Sequence, residues 1–194
     1  MIYAQKYISG KTLDLGAGSG KYRGIIKEKA SEYVAFDMAP GKNIDIVGDA
    51  LNSPLESFSF DTVVSTQTLE HVKKPWIMVK EIHRILKENG ICFLTAPFLA
   101  PYHADPHDYF RYTEEGMRSL FEEENFEIIE CSGYGKPFSV ISEFIRFSFF
   151  NPYQKRKRGY WKITRLIAKL ANFFDRFSKN KIIYGDVYII ARKK

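Results

Sequence analysis

The sequence contains only two cysteines in 194 residues, Cys92 and Cys131, and both lie in apolar, strand-like segments. So few cysteines exclude a fold built on a framework of disulfides and are typical of a protein in a reducing compartment. A chain of this length buries about 70% of its unfolded surface, so it needs neither disulfides nor a structural metal to form a core. We therefore expect both cysteines to be core residues.

Long hydrophobic runs are also missing, since none reaches the roughly 18 residues that a membrane-spanning helix requires. The first ten residues, MIYAQKYISG, lack the charged-then-apolar order of a signal peptide, so we expect a cytoplasmic protein. The sequence shows no internal repeat and no low-complexity tract. At roughly 150 residues per domain, the length predicts one domain spanning residues 1–194.

Acidic residues are scarce in one part of the chain. Residues 136–181 contain 12 Lys or Arg against only Glu143 and Asp175, a net charge of +10 in a chain whose total is +6. The remaining residues therefore carry a net charge of −4. Because compact α/β units have short connections, we interpret this segment as an insertion.

The rest of the chain alternates strand-like and helix-like segments, the pattern of a doubly wound α/β sheet. Seven strands are predicted, at residues 11–15, 33–36, 44–47, 60–65, 91–96, 127–131 and 182–191. A helix is predicted to begin at Pro75 and to stop at Asn89-Gly90, and Thr113 is placed to cap another. The insertion lies between strands six and seven and contains two helical patterns, at residues 138–150 and 160–178.

The strongest local signal is the segment Leu13-Asp-Leu-Gly-Ala-Gly-Ser-Gly20, where a strand runs into a glycine-rich turn before a helix. Such a turn lets backbone N–H groups approach phosphate, a dinucleotide or S-adenosylmethionine. A phosphate-binding P-loop is excluded because Leu15 and Tyr22 occupy its first and last motif positions. Lys21 weakens the dinucleotide interpretation, because a small residue is expected there. A turn that binds no ligand is the remaining alternative.

Two carboxylates come after the glycine segment, at the ends of predicted strands. Asp37 lies 21 residues after Gly16, where it can accept hydrogen bonds from both ribose hydroxyls of an adenosine ligand. Asp49 ends the third strand and can accept one from an adenine amino group. The alternative for each is an aspartate in a surface turn. Their combination with the glycine segment favours an adenosine-containing ligand.

Three further segments follow these motifs: Gly48-Asp-Ala50, Phe60–Val72 and Leu86-Lys-Glu-Asn-Gly90. Together they occur in the order seen in class I S-adenosylmethionine-dependent methyltransferases. Over roughly residues 10–135 the sequence resembles the type 11 methyltransferase domain group. Its motifs are specific for the cofactor but not for the substrate. The resemblance implies a Rossmann-like seven-stranded sheet with an antiparallel last strand, and S-adenosylmethionine as the cofactor.

The resemblance also implies a cofactor site formed by Asp14, Gly16, Ala17, Gly18, Asp37, Met38, Asp49, Ala50 and Gln67. The glycines would bracket the methionine moiety, and Asp14 would help to hold its amino group. Asp37 would bind the ribose, Asp49 and Ala50 would flank the adenine, and Gln67 would close the pocket. Family members usually place helices before the first strand to cover the cofactor. We expect the insertion, or a second subunit in a homodimer, to do so here.

Candidates for the acceptor side lie after strands four and five, because ligands of open α/β sheets bind beyond the carboxyl ends of the strands. The candidate general base is His107, since an imidazole titrates near neutrality. The candidate substrate-binding residues are His71, His103 and Arg111. For Glu70-His71 the alternative is a structural or cofactor-side role. For Arg111 it is an ion pair with Asp108 that fixes the loop.

Metal-ligand residue types occur in this loop at His103, Asp105 and His107. Without a fixed scaffold or further ligands, the spacing alone does not define a site. We therefore predict no metal.

The acceptor is constrained mainly by the segment after strand four. The Asn/Asp-Pro-Pro-aromatic motif of methyltransferases that modify nucleobase amino groups is not found there. In addition, His107-Asp-Tyr-Phe-Arg-Tyr112 resembles a segment of a methyltransferase subgroup associated with polysaccharide and natural-product pathways. We expect methyl transfer to a small-molecule, glycan-like or lipid-linked acceptor, more readily at oxygen. The alternatives are an RNA methyltransferase recruited by the insertion and a non-catalytic S-adenosylmethionine-binding module.

The insertion carries one continuous apolar stripe, formed by Ile163, Leu166, Ile167, Leu170, Phe174 and Phe177. Three functions fit it: a lid on the sheet, a helix pair at anionic lipid or a lipid-linked substrate, or a nucleic-acid site. Burying six such side chains contributes about 9–18 kcal/mol before entropy is subtracted, so we expect the stripe to be buried over the cofactor or acceptor opening. An outward-facing stripe would instead meet a second subunit or a membrane surface.

Overall fold

A computed structural model describes residues 5–104, 106–149, 160–179 and 182–194, without the side chains of residues 160 and 161. Within these ranges the strands are β1 (Lys11–Leu15), β2 (Glu32–Asp37), β3 (Ile46–Val47), β4 (Phe60–Thr66), β5 (Leu86–Pro97), β6 (Phe126–Tyr134) and β7 (Asp186–Lys193). The helices are α1 (Arg23–Lys27), α2 (Pro75–Ile85), α3 (Glu114–Glu122), α4 (Pro137–Phe149) and α5 (Tyr160–Asp175).

The strands form one sheet in the order β3-β2-β1-β4-β5-β7-β6. β1 to β5 run parallel to one another, and β7 is antiparallel to both β5 and β6. The predicted Rossmann-like sheet with an antiparallel last strand is therefore confirmed. The strand order reverses between β1 and β4, and in open α/β sheets ligands bind beyond the carboxyl ends of the strands at this position.

Both faces of the sheet are buried, as expected for central parallel strands. On one face, α2 and α3 pack through Met78, Ile82, Met117 and Phe121, which expose no surface. The other face packs around Ile26, Val64 and Phe93. Cys92 and Cys131 are buried and free, which confirms that they are core residues.

Several boundaries differ from the prediction for local reasons. β3 begins at Ile46 because the Asp45 carboxylate accepts the Ala35 N–H, which removes that donor from strand pairing. β7 begins at Asp186, and not near residue 182, because pairing with both neighbouring strands starts there. Helix α2 ends at Ile85, and the chain enters β5 at once.

The two helices predicted in the insertion are present as α4 and α5, and they pack against each other. Asp175 of α5 is buried and accepts the backbone N–H groups of Phe138 at 2.9 Å and Ser139 at 3.0 Å. A carboxylate at this position satisfies donors that the first turn of a helix leaves unpaired. The basic run Lys155-Arg-Lys-Arg158 lies outside the described residues.

Candidate functional site

A cavity of about 390 Å³ opens at the carboxyl ends of β1, β2 and β4. This volume lies within the range of sites that bind small molecules. Seven of the nine predicted cofactor residues line it: Gly16, Gly18, Asp37, Met38, Asp49, Ala50 and Gln67. The fold thus brings together residues that are up to 51 positions apart in the sequence.

The glycine segment forms the floor of this first cavity. Gly16 and Gly18 have φ angles of +77° and +53°, which residues with a Cβ rarely adopt. A Cβ on Gly16 would clash with the Thr68 hydroxyl, whereas one on Gly18 would meet nothing within 4 Å. Gly16 therefore permits close packing with the turn after β4, and the surface over Gly18 is left open for a ligand.

The backbone donors of this segment are largely used within the protein, contrary to the expected free helix N-terminus. Helix α1 begins only at Arg23, and the N–H groups of Gly16 and Ala17 donate to the Phe36 carbonyl at 2.9 and 3.0 Å. Gly18 donates to the Asp37 carboxylate at 2.8 Å. The segment therefore offers a ligand space and a carboxylate rather than a set of free amides.

The Asp37 carboxylate is held at the end of β2 by two backbone donors. Its Oδ2 accepts from Gly18, and its Oδ1 accepts from Ala39 at 2.9 Å. A carboxylate has about four lone-pair sites, so each oxygen retains one acceptor position. Asp37 can therefore accept from two further donors, as an adenosine ribose would require.

Asp14 and Ala17 do not line the first cavity. Asp14 is buried on β1, where its carboxylate accepts from the Tyr33 hydroxyl at 2.8 Å. Burial raises the pKa of Asp14 to about 6, while the Tyr33 hydrogen bond opposes this rise. The structure therefore places Asp14 and Ala17 outside the first cavity.

Gln67 separates the first cavity from a second one of about 520 Å³. Its φ of +53° turns the chain at the end of β4, and its backbone N–H donates to the Thr95 carbonyl. The side-chain amide donates to Asp186 Oδ1 at 3.2 Å and to Thr95 Oγ1 at 3.3 Å. Non-glycine residues in this conformation cluster at functional sites.

The second cavity contains acidic and phenolic groups that sequence reasoning missed. Asp186 from β7, Tyr134 from β6 and Glu143 from α4 line it, beside His103. Burial raises the pKa of Asp186 to about 6, against the lowering effect of the Gln67 hydrogen bond. The only sequence signal for Asp186 is its place after Gly185, at the start of the last strand.

The histidines predicted for the acceptor side divide between the two cavities. His71 and His107 line the first cavity, and His103 lines the second. The rings of His71 and His103 lie edge to face at 5.3 Å, while the exposed His107 ring lies against Tyr109 at 5.4 Å. His71 and His103 therefore meet at the boundary between the cavities.

Arg111 forms the ion pair with Asp108 that was the alternative to substrate binding, and all five of its N–H donors are used within the protein. The guanidinium makes a bidentate ion pair with Asp108 and also donates to the carbonyls of Ala100, Pro101 and Phe110. This pair lowers the pKa of Asp108 to about 2. Arg111 therefore holds the loop after β5, and no donor remains for an anionic substrate.

Replacing Arg111 with alanine should lower the free energy of unfolding at pH 7 by about 3 kcal/mol, because the Asp108 carboxylate would remain buried without its partner. The Asp108 side chain is 1% exposed, but that of Arg111 is 26% exposed. We therefore expect a loss of stability at the lower end of the range found when a buried ion pair is broken. The depressed pKa of Asp108 means that this stabilisation is complete above about pH 4 and is lost as the pH falls through about 2. Denaturant unfolding at pH 7 measures the effect.

The double variant Asp108→Asn/Arg111→Ala is the matched control, because it removes the unpaired charge as well as the partner. It should recover part of the lost stability. An Arg111→Ala protein as stable as the wild type would contradict this role.

The predicted burial of the apolar stripe is wrong. On α5 and the turn after it, the exposed fractions of Ile163, Leu166, Leu170, Phe174 and Phe177 lie between 49 and 72%, and the sixth member, Ile167, is half-buried. The small and polar residues Thr164, Ala171 and Asp175 are buried instead. Helix α4 does line the second cavity, through Glu143 and Phe147, so among the described residues of the insertion it is α4 that covers this cavity. In the described residues, no helix is long and apolar enough to cross a membrane.

Residues 13–94 match the family model described as "Methyltransferase domain". The chain is also 29% identical over 153 residues to the chloroplastic 2-methyl-6-phytyl-1,4-hydroquinone methyltransferase 1 of Oryza sativa subsp. japonica. That match covers 68% of this chain but spans only 46% of the rice protein.

Solved structures share the fold over nearly the whole chain. A SAM-dependent methyltransferase from Archaeoglobus fulgidus superposes with a TM-score of 0.66 at 17% identity, covering 99% of this chain and 90% of that one. The [4+2]-cyclase SpnF superposes with a TM-score of 0.63 at 18% identity, covering 99% and 78%. The fold thus also occurs in an enzyme named for another reaction, so the fold alone does not determine the activity.

The residues present fit the cofactor that this family uses. The surface above Gly18 is open, Asp37 keeps two acceptor positions, and the cavity has the volume of a small-molecule site. Together with the matched domain and the order of the strands, these features make the chain similar to the class I S-adenosylmethionine-dependent methyltransferases, whose fold it has.

Proposed function

We propose that this protein transfers a methyl group from S-adenosylmethionine to an oxygen of an amphipathic, lipid-linked or glycan-like acceptor. The observation that carries the proposal is the pair of cavities that share Gln67 as their wall. S-adenosylmethionine supplies a methyl group already activated on a sulfonium sulfur. The protein chiefly has to bind the two reactants on either side of Gln67 and to align them.

Residues of the first cavity would bind the cofactor. Asp37 would accept hydrogen bonds from the ribose, and Gly18 would leave room for the methionine moiety. Asp49 and Ala50, which also line this cavity, would flank the adenine. Gln67 would close the site toward the acceptor. Asp14 lies behind this cavity on β1, so it would not contact the cofactor from this wall.

Asp186 is our proposed general base for the acceptor. It lies in the second cavity, and its raised pKa leaves it ionised at neutral pH yet basic enough to take the proton of a hydroxyl group. The amide of Gln67 fixes the orientation of Oδ1. His107 remains the alternative base, although it lines the first cavity.

The acceptor class is supported by the exposed face of the insertion. Its half-exposed apolar side chains lie beside exposed basic residues of the same region, Lys162, Arg165, Lys169, Arg176 and Lys179. Aromatic and basic residues in this combination are typical of helices that lie at anionic membrane surfaces. The rice relative is named for a phytyl-substituted hydroquinone, an amphipathic molecule, which is consistent with such an acceptor.

The chain should sediment with anionic phospholipid vesicles at low salt and should be released as the salt concentration rises, because basic residues near a membrane contribute about 1 kcal/mol each. Changing Lys162, Arg165 and Lys169 to serine should abolish most of this binding. The control variant changes Lys27, Lys29 and Lys80, which lie outside the insertion, to serine and should bind as the wild type does. Equal loss in both variants would contradict a specific membrane surface.

The activity itself is tested by measuring release of S-adenosylhomocysteine. Candidate acceptors are prenylated hydroquinones and polyprenyl-linked sugars in anionic vesicles, compared with unmodified RNA. We expect release with an amphipathic acceptor. Release with RNA alone would favour the RNA methyltransferase, and cofactor binding without release for any acceptor would favour the non-catalytic module.

A further inference from the structure

We propose that Glu70, His71 and His103 form a binding site for a divalent transition-metal ion at the boundary between the two cavities. Within the described residues, these three side chains form the one group whose ligand atoms could hold a metal, all within 4.8 Å of one another. Glu70 and His71 lie just after β4, and His103 lies in the loop after β5. The site therefore draws on two elements that meet only in the folded chain.

The first argument is the state of Glu70. Its side chain exposes no surface, and neither carboxylate oxygen has a hydrogen-bond partner. Burying a carboxylate without hydrogen bonds costs several kcal/mol, so such groups are normally paired or bound to a metal. Arg111 cannot supply the missing donor, because its own are committed to Asp108 and to backbone carbonyls. A cation between Glu70 and the histidines would satisfy it.

The second argument is the orientation of the two imidazoles. Nδ1 of His71 bonds to the His107 carbonyl, and Nδ1 of His103 bonds to the Pro101 carbonyl at 3.0 Å. A carbonyl can only accept, so Nδ1 donates in each ring, and Nε2 is the ring atom left to face Glu70 and a metal ion. Metal-binding histidines are typically oriented by this kind of hydrogen bond to a carbonyl.

The third argument is the spacing of the donor atoms. Glu70 Oε1 lies 3.6 Å from Nε2 of His71 and 3.5 Å from Nε2 of His103, and both distances are longer than an ordinary hydrogen bond. Donors bonded to one ion at about 2.0–2.2 Å lie roughly 3–3.5 Å apart. The distances from Glu70 Oε1 to the two Nε2 atoms are therefore close to those between two ligand atoms bound to the same metal ion.

The donor set also indicates the class of metal. Two imidazoles with one carboxylate suit zinc, manganese or iron, whereas magnesium prefers oxygen ligands alone. The set shares His103 with the sequence pattern His103-x-Asp105-x-His107, and its other members, Glu70 and His71, come from the turn after β4. Asp105 lies outside the described residues. We predicted no metal from the sequence because it showed no further ligands near His103. In the folded chain, Glu70 and His71 lie beside His103 and could act as those ligands.

The position suggests what the ion would do. His71 lines the cofactor cavity and His103 the acceptor cavity, so an ion between them would lie where an acceptor oxygen must approach. A bound cation can orient such an oxygen and lower its pKa. This role rests on the proposed function, whereas the existence of the site does not.

Metal content tests the site directly. The full-length protein, stripped with a chelator, is dialysed against Zn²⁺ or Mn²⁺, and the ions retained per chain are counted by elemental analysis. We expect about one ion per chain that excess Mg²⁺ does not displace, and a raised Tm on loading. Glu70→Gln and His103→Gln should each weaken binding by about 100-fold or more, since even supporting residues cost 10–100-fold. His103 lies in a loop and is partly exposed, so we expect His103→Gln to fold. Its metal content therefore still tests the site if Glu70→Gln does not fold.

His107→Gln is the matched control, because it removes a neighbouring imidazole but keeps the carbonyl that orients His71. It should retain the metal. A wild-type protein that binds no more metal than His103→Gln, or a His107→Gln variant that loses as much, would overturn the proposal. Calorimetric titration with S-adenosylmethionine, run on the same samples, separates failure of the metal site from failure of the proposed function.

Discussion

Replacing Asp37 with alanine should weaken S-adenosylmethionine binding by about 3–6 kcal/mol, because two charge-assisted hydrogen bonds of about 1.5–3 kcal/mol each are lost. The two free acceptor positions of this carboxylate lie on the wall of the first cavity. Alanine also removes the acceptor for the Gly18 and Ala39 N–H groups, which adds mobility to the glycine turn. Isothermal titration calorimetry on the folded variant measures the loss.

Two further variants show whether the loss of affinity is specific to the Asp37 carboxylate. Glu32→Ala removes an exposed carboxylate from the other end of β2, where it pairs with Lys11, and should bind the cofactor as the wild type does. Asp37→Asn keeps one oxygen acceptor and should fall between alanine and the wild type. Unchanged affinity in Asp37→Ala would remove this residue from the ribose site.

Replacing Asp186 with asparagine should reduce kcat by about 10²–10⁴-fold, the usual contribution of a general base. Asparagine keeps an oxygen that can accept from Gln67, so the shape of the second cavity is preserved while the proton acceptor is lost. Glu143→Gln is the matched control, because it neutralises the other carboxylate of the second cavity. Its kcat should stay near the wild-type value.

The pH dependence separates Asp186 from His107. Burial and the nearby carboxylates Glu70 and Glu143 raise the pKa of Asp186 to about 6, whereas Gln67 and His103 oppose the rise. Wild-type kcat/KM should therefore increase as the pH rises through about 6, and Asp186→Asn should lose this limb. A His107→Gln variant that loses the limb while Asp186→Asn keeps it would assign the base to His107.

The raised pKa of Asp186 also predicts that Asp186→Asn does not lower the rate by unfolding the protein. A carboxylate whose folded pKa is raised stabilises the native state fully below its ordinary value of 3.8, and that contribution is lost as the pH rises through about 6. At pH 8 the ionised Asp186 therefore costs stability. Asp186→Asn should be at least as stable as the wild type at that pH, and thermal unfolding checks this.

The sequence by itself determined the fold class and the cofactor side of the site. Alternating strand and helix patterns are local, and so are the glycine turn and the aspartates at strand ends. Parallel strands place their carboxyl ends at one edge of the sheet. Gly16, Asp37 and Asp49 could therefore be assigned to one cavity from the sequence alone. The cap at Thr113 was predictable for the same reason, and its hydroxyl does accept the Gly116 N–H at 3.0 Å.

Only the tertiary structure formed the second cavity, which we propose for the acceptor, and decided the outer surface. Asp186 and Gln67 are 119 positions apart, and Glu70 meets His103 across a whole helix and strand. Nothing in their local sequence encodes these contacts. The apolar periodicity of α5 showed that one face is apolar, but periodicity does not say which face packs inward. The burial of Asp175 and Thr164 against the rest of the chain settled that question, because α5 caps α4 through its polar face and leaves its phenylalanines exposed.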